Sequence, residues 1–295
     1  MPRLVGLELG SIFEEPGYRT QHPTLVELIG SGLPPPSLDF PILSSFRAFG
    51  TSSPAYIQLL AQMTFQPQFS LNLTYKPWRY NSRDLVLALQ ILNRAIRNSS
   101  MTIRTVRCYS ADNPAHNVIC FMFSFDPRLG SPFVTFTVEV VLLPWHSFNY
   151  GRWLRELALF PLDDVKFLST EGLSRLDSWT DNLFTGLSNL RRLQLLDHGD
   201  VLLVFLISDS NLTTGTIAFP ALEELEIHDI HFPIELKSAL PRCFIARETR
   251  YARLRELTFV GCKVTDAAAK KLEGQVDKLR RISIEAHQQE QRLHS

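Results

Sequence analysis

The sequence carries no surplus of either charge: Lys+Arg and Asp+Glu both number 30, and the formal net charge is zero. A balanced chain leaves no electrostatic footprint for nucleic acid or for an anionic membrane surface, so neither partner is expected. Long apolar runs are missing too. The two most apolar stretches, Phe133 to Trp145 and Val201 to Ile207, fall short of the ~20 residues a membrane-spanning helix needs, and Glu139 interrupts the first. Cysteine is scarce. Cys108, Cys120, Cys243 and Cys262 form no Cys-x-x-Cys pair and stand at no zinc-site spacing with histidine. Four reduced, buried thiols in an intracellular protein are the expectation. The opening residues, Met1 to Val5, contain neither a secretory apolar core nor an Arg/Ser-rich presequence.

The motifs of catalysis are absent as well. There is no Gly-x-Ser-x-Gly elbow, no His-Glu-x-x-His, no phosphate-cradling glycine loop and no Gly-x-Gly-x-x-Gly. His228-Asp229-Ile230-His231 follows a strand pattern, where residues three apart point to opposite sides, so it is not expected to chelate. Asp163-Asp164 reads as strand surface. No catalytic residue, cofactor or metal is therefore expected. Triads assemble from distant residues, however, and a cryptic enzyme in the segment 66–150 stays open as the alternative.

What the sequence does have is a recurring Leu-x-x-Leu-x-Leu, with Ile, Val or Phe substituting. The clear instances are Leu190-Leu193-Leu195, Leu222-Leu225-Ile227, Leu254-Leu257-Phe259 and Leu279-Ile282-Ile284, whose first positions (190, 222, 254, 279) are 32, 32 and 25 residues apart. Upstream, Leu162-Val165-Phe167 fits, and Ile103-Val106-Cys108, Leu43-Phe46-Ala48 and Leu4-Leu7-Leu9 fit more loosely. The last two apolar positions lie two apart and face one side of a short strand, while the first reaches the same core from the approaching turn. One such unit cannot cover its own apolar face, and stacking in parallel buries them together.

Other elements fall between the motifs. Helices are expected at Thr265 to Leu272, capped by Thr265, at Ser178 to Leu187, and at Arg83 to Arg97 with Leu85, Leu89, Leu92 and Ile96 on one face. Val118 to Phe125 and Phe133 to Leu143 read as two strands joined through Asp126-Pro127-Arg128-Leu129-Gly130. Phe160, Phe167 and Phe184 are assigned to the core, and Trp145, Phe148, Tyr150 and Trp153 to packing around a joint. The expected architecture is α/β: one domain over 1–295, an irregular leucine-rich-repeat solenoid of eight or nine repeats with a curved parallel sheet and outer helices. Its clearest repeats lie at 150–285 and a sheet-rich irregular middle at about 66–150.

Phe219-Pro220-Ala221-Leu222-Glu223-Glu224-Leu225-Glu226-Ile227 resembles the repeat core of fungal, mushroom-type F-box/leucine-rich-repeat proteins, and Phe40-Pro41-Ile42-Leu43 echoes its opening. Leu254-x-x-Leu257-x-Phe259-x-x-Cys262-x-Val264-Thr265-Asp266 is similar to the cysteine-containing repeat subtype. The resemblance implies repeats that present a substrate to a ubiquitin ligase. In that family an N-terminal F-box binds a cullin-ligase adaptor. Here the repeat-like Leu4-Leu7-Leu9 comes at once and no F-box is visible, so the expected partner is a protein of unspecified identity, in the cytoplasm or nucleus. A stand-alone or remnant repeat protein without a ligase role is the other reading within the binding class.

Writing the polar positions of the clear repeats as columns gives the candidate binding residues. The first is Arg191, Glu223, Arg255, Arg280; the second Arg192, Glu224, Glu256, Arg281; the third Gln194, Glu226, Thr258, Ser283. One reading is an acidic patch of Glu223, Glu224, Glu226 and Glu256 bordered by arginines, exposed on a concave face. The other is mutual neutralisation between adjacent strands.

Overall fold

The computed structural model describes residues 6–9, 45–50, 60, 70–75, 83–98, 102–113, 116–125, 135–142, 150–172, 184, 186–196, 206, 217–229 and 234–286. Its architecture is mixed α/β, with mostly parallel strands and, among the described residues, few helices. The chain divides into two compact units, Met1–Arg104 with Ser110–Leu162, and Thr105–Tyr109 with Asp163–Ser295.

In the first unit, strands β1 (Gly6–Leu9), β2 (Ser45–Gly50) and β3 (Ser70–Tyr75) precede helix α1 (Arg83–Asn98). β4 (Ile103–Asn113) contributes its two ends, and β5 (His116–Phe125), β6 (Thr135–Leu142) and helix α2 (Tyr150–Ala158) follow. The order is β1-β2-β3-β6-β5, parallel up to β6, with β5 antiparallel to it. The loose early motifs pair as their spacing predicts: Leu7 opposite Phe46, Leu9 opposite Ala48. The expected pair of strands in the middle is β5 and β6, and the turn drawn between them lies outside the described residues. Alternation puts Phe121, Phe123 and Phe125 of β5 in one row with Phe136, Val138 and Val140 of β6, all buried. Phe123 stacks on Phe136 at 5.5 Å and meets Phe160 at 5.4 Å, while Trp153 of α2 meets Phe121 edge-on at 5.7 Å. Leu85, Leu89, Leu92 and Ile96 of α1 are buried as expected, and so are Val86, Leu87, Ala88 and Ile91 beside them. That helix is tied to α2 by Gln90 donating to Glu156 (3.0 Å) and Arg97 to the Leu159 carbonyl (2.6 Å).

The second unit is the more regular. The middle of β4 is followed by β7 (Phe167–Glu171), β8 (Arg192–Leu196), β9 (Glu224–His228), helix α3 (Ile234–Glu248), β10 (Glu256–Val260), helix α4 (Asp266–Glu273) and β11 (Lys278–Ile282). These six strands are parallel and adjacent in that order. The starts of β8, β9 and β10 share one device. The Lys166 carbonyl accepts from the amides of both Arg191 and Arg192 (3.0 Å each), the Arg191 carbonyl from Glu223 and Glu224, and the Glu223 carbonyl from Arg255 and Glu256. Side chains then fall into apolar rows. Val165, Leu190, Leu222, Leu254 and Val276 form one; Val106, Leu168, Leu193, Leu225 and Leu257 a second; Cys108, Thr170, Leu195, Ile227 and Phe259 a third; all are buried. Each large member contributes about 1.5–3 kcal/mol by leaving water.

Backbone conformation repeats with the same phase. Left-handed residues stand three before the leading leucines 222 and 254, at Phe219 (φ 50) and Tyr251 (φ 59), and just past three strands, at Gly172, Asp229 and Gly261. At the end of α3, the Tyr251 amide donates to the Glu248 carbonyl and the Ala252 amide to the Arg247 carbonyl, the paired bonds of a helix C-terminus that usually ends on glycine. The Arg247 side chain is buried there. Its guanidinium donates to the carbonyls of Ala218 (2.7 Å), Phe219 (2.9 Å), Leu222 (3.3 Å) and Ala252 (3.1 Å), and burial lowers its pKa from 12.5 to about 10.

Several expectations are corrected. The motif written Leu162-Val165-Phe167 is set three residues later: Leu168 pairs with Leu193 and Thr170 with Leu195, which leaves Phe167 half-buried under the Arg192 guanidinium (5.6 Å) instead of in the core. Leu279-Ile282-Ile284 is displaced the other way. Leu279 pairs with Leu257, because the short connection through α4 delivers Val276, not Leu279, to the leading position. Asp163-Asp164 forms an exposed turn before β7, not strand surface. None of the four cysteines forms a disulfide; three are buried, but Cys262 is half-buried because it lies past the end of β10. Helix α3, which carries Pro241 inside it, was not anticipated. The N-cap of α4 is as expected, with Thr265 Oγ1 accepting from the Ala268 amide at 3.3 Å. The helix expected at 178–187 lies mostly outside the described residues, although Phe184 and Leu187 are buried as predicted, and so is Phe160.

Two substitutions separate the roles of the left-handed positions. A Cβ on Gly261 would stand 2.2 Å from Asp229 Oδ1 at φ +66, so Gly261→Ala lowers stability by about 1–2 kcal/mol. Tyr251 is fully exposed and gains nothing from burial, so Tyr251→Gly raises stability by about 0.5–1 kcal/mol. Urea midpoints of the two variants moving in the same direction would contradict this assignment.

Candidate functional site

The side chains alternating with the buried rows of the second unit form a polar face whose geometry the strand register fixes. At the first level lie Phe167, Arg192, Glu224, Glu256 and Lys278; at the second Ser169, Gln194, Glu226, Thr258 and Arg280; at the third Glu171, Leu196, His228, Val260 and Ile282. Neighbouring strands stand ~4.8 Å apart, within reach of long charged side chains. Arg191, Glu223 and Arg255 occupy the residue before each strand.

The structure brings together nearly all the residues expected here, with one row rearranged. Arg191 Nη1 lies 3.6 Å from Glu223 Oε1, and Arg255 Nη1 lies 4.0 Å from Glu223 Oε2. Arg192 reaches Glu224 (3.9 Å) and donates to Glu226 (2.8 Å), and Arg255 pairs closely with Glu224. Glu256 is bracketed by Lys278 (3.1 Å) and Arg280 (3.6 Å). Because β11 is displaced by three residues, Arg280 stands beside Thr258 and not beside Arg255, and Lys278 takes the place assigned to Arg281. Arg281 instead holds Asp266 in the first turn of α4 at 2.7 Å, and Ser283 falls beyond the end of β11. The alternating signs therefore do neutralise one another across the strands.

Glu226 departs most from its expected exposure. It is 7% exposed and sits at the centre of a network. Its Oε1 accepts from Gln194 Nε2 (3.2 Å) and meets His228 Nε2 at 2.5 Å; its Oε2 accepts from Arg192. Gln194 in turn accepts from Ser169 Oγ at 3.0 Å. Burial pushes the Glu226 carboxyl up. The bonds from His228, Arg192 and Gln194 and the His228 charge outweigh it, lowering the pKa from 4.5 to about 2. Thr258 is buried beside it. His228, Lys278, Phe167 and Ser169 were missed as members of this face. The signal for His228 was its place two residues after Glu226, on the same side of a strand.

Among the described residues no cluster of three His, Cys, Asp or Glu is arranged to hold a metal ion. None of the described helices is long and apolar enough to cross a membrane. Compared with protein-family models, with curated proteins and with solved structures, the chain gives no match.

The lowered carboxyl makes a signed prediction. Stability from ionised Glu226 is fully present above pH 4.5 and is lost as pH falls toward 2. After screening at the open side of the face it is on the order of 2 kcal/mol. Urea midpoints measured from pH 7 to pH 3 are expected to fall more steeply for the native chain than for Glu226→Gln. Parallel slopes would remove Glu226 from this role.

Proposed function

We propose that the chain is a leucine-rich-repeat solenoid of the F-box/leucine-rich-repeat kind, and that the polar face of its second unit binds a protein partner without catalysing a reaction. One observation carries the reading: successive parallel strands place equivalent polar residues side by side, in register, over a continuous apolar layer. A row of short parallel strands with variable outer residues is how stacked repeats make an extended recognition surface. The residues offered to the partner are Arg191, Arg192, Gln194, Glu223, Glu224, Arg255, Glu256, Lys278 and Arg280. Glu226 and Thr258, nearly closed to solvent, support that layer from beneath.

Photo-reactive side chains placed at positions 191 and 255 test this in the cells of origin, with position 270 on α4 as the control. Adducts with a defined protein from 191 and 255, and none from 270, are expected. Adducts from 270 alone would move the binding surface off this face. A cullin-ligase adaptor among the proteins recovered would carry the ligase role with it; partners without that adaptor fit a stand-alone binder.

A further inference from the structure

Four glutamates of the face lie among its cations, and they are not its most exposed charges. Side-chain exposure is 61% at Arg191, 61% at Arg255 and 58% at Lys278, against 40% at Glu223, 31% at Glu224, 24% at Glu256 and 10% at Glu226. Arg192 (49%) and Arg280 (37%) lie between, so the outermost charges of this group are Arg191, Arg255 and Lys278.

Each of these four glutamates is bracketed by two side chains: Glu223 by Arg191 and Arg255, Glu224 by Arg192 and Arg255, Glu256 by Lys278 and Arg280, Glu226 by Arg192 and the His228 imidazole. A guanidinium carries five N–H donors and an ammonium three. Among the described residues Arg191 pairs with one carboxylate, at 3.6 Å, and Lys278 with Glu256 through contacts of 3.1 and 3.3 Å, while Arg255 pairs with both Glu223 and Glu224. Arg191, with five donors and one pairing, keeps donors to spare. Of the other carboxylates at these levels, Asp277 is taken by Arg253 at 2.9 Å, and Glu171 lies at the far end of β7.

We propose that this face, if it is the binding surface argued above, takes an acidic polypeptide segment, with Arg191, Arg255 and Lys278 contacting its carboxylates and Glu223, Glu224 and Glu256 holding those cations in place. Arg191 and Arg255 stand two strands apart, about 10 Å. An extended peptide presents every second side chain on one side at about 7 Å, so alternate acidic residues span the distance with side-chain reach to spare. The zero net charge of the chain favours a short acidic segment over a nucleic acid, which needs a broad basic field.

The test is fluorescence anisotropy on the full chain with three labelled probes: a glutamate-rich decapeptide, a lysine-rich decapeptide and a ten-nucleotide single-stranded DNA. The glutamate peptide is expected to bind, more weakly as salt rises. Arg191→Gln with Arg255→Gln is expected to weaken it at least tenfold while the thermal midpoint shifts little. Lys278→Gln, on the last described strand, weakens it several-fold and guards against misfolding of the double variant. The proposal is overturned if the glutamate peptide does not bind, if the lysine peptide binds as well or better, if the variants bind as the native chain does, or if the DNA binds equally well, which marks an unselective anion surface. A cross-linked partner that meets positions 191 and 255 through a basic or neutral segment overturns this proposal alone and leaves the binding face standing. Absence of any adduct at those positions removes the face itself.

Discussion

Three carbonyl oxygens decide where β8, β9 and β10 begin. Lys166, Arg191 and Glu223 each accept from two successive amides of the next strand, so a one-residue slip would forfeit both bonds at once. Side chains alternate with period two, and the same slip would turn every leucine of a strand to water and every glutamate to the core. From this lock follow the three apolar rows and, on the other side, the levels of the polar face. The left-handed residues before and after the strands repeat with the same phase, so the turns agree with the ladders.

The strands were legible wherever the leading apolar residue was unambiguous. At 190, 222 and 254 the sequence and the register coincide, and so do the early pairs Leu7–Phe46 and Leu9–Ala48. Both failures are displacements of three. Around Leu162 and around Leu279 two apolar residues three apart compete for the leading place, and a pattern of alternating leucines cannot choose between them. Connection length chooses: α4 and its following turn are short, and they bring Val276 into line. The charged face was legible in composition and partly in grouping. Its layering was not, because burial of Glu226 depends on Arg192 and Gln194 of the neighbouring strand as well as on His228, and a column of letters gives no depth.

Glu226 and Arg247, both buried, are satisfied differently. Glu226 is held by a guanidinium, an imidazole and an amide; Arg247 is held by four backbone carbonyls, with no carboxylate among its partners in the described residues. Carbonyl dipoles offset a buried cation less than a carboxylate does, and the lowered Arg247 pKa reflects that. The arrangement has a structural consequence. The carbonyls of Ala218, Phe219 and Leu222 belong to the turn that leads into β9, and that of Ala252 to the turn before β10. One guanidinium therefore fixes two consecutive turns. Lysine could not copy it, since a single ammonium lacks the planar fork. Holding the left-handed Phe219 turn sets the start of β9, and the start of β9 sets Glu226 opposite Gln194 and within reach of Arg192. The acidic support of the polar face thus depends on a cation buried behind the opposite side of the same strands.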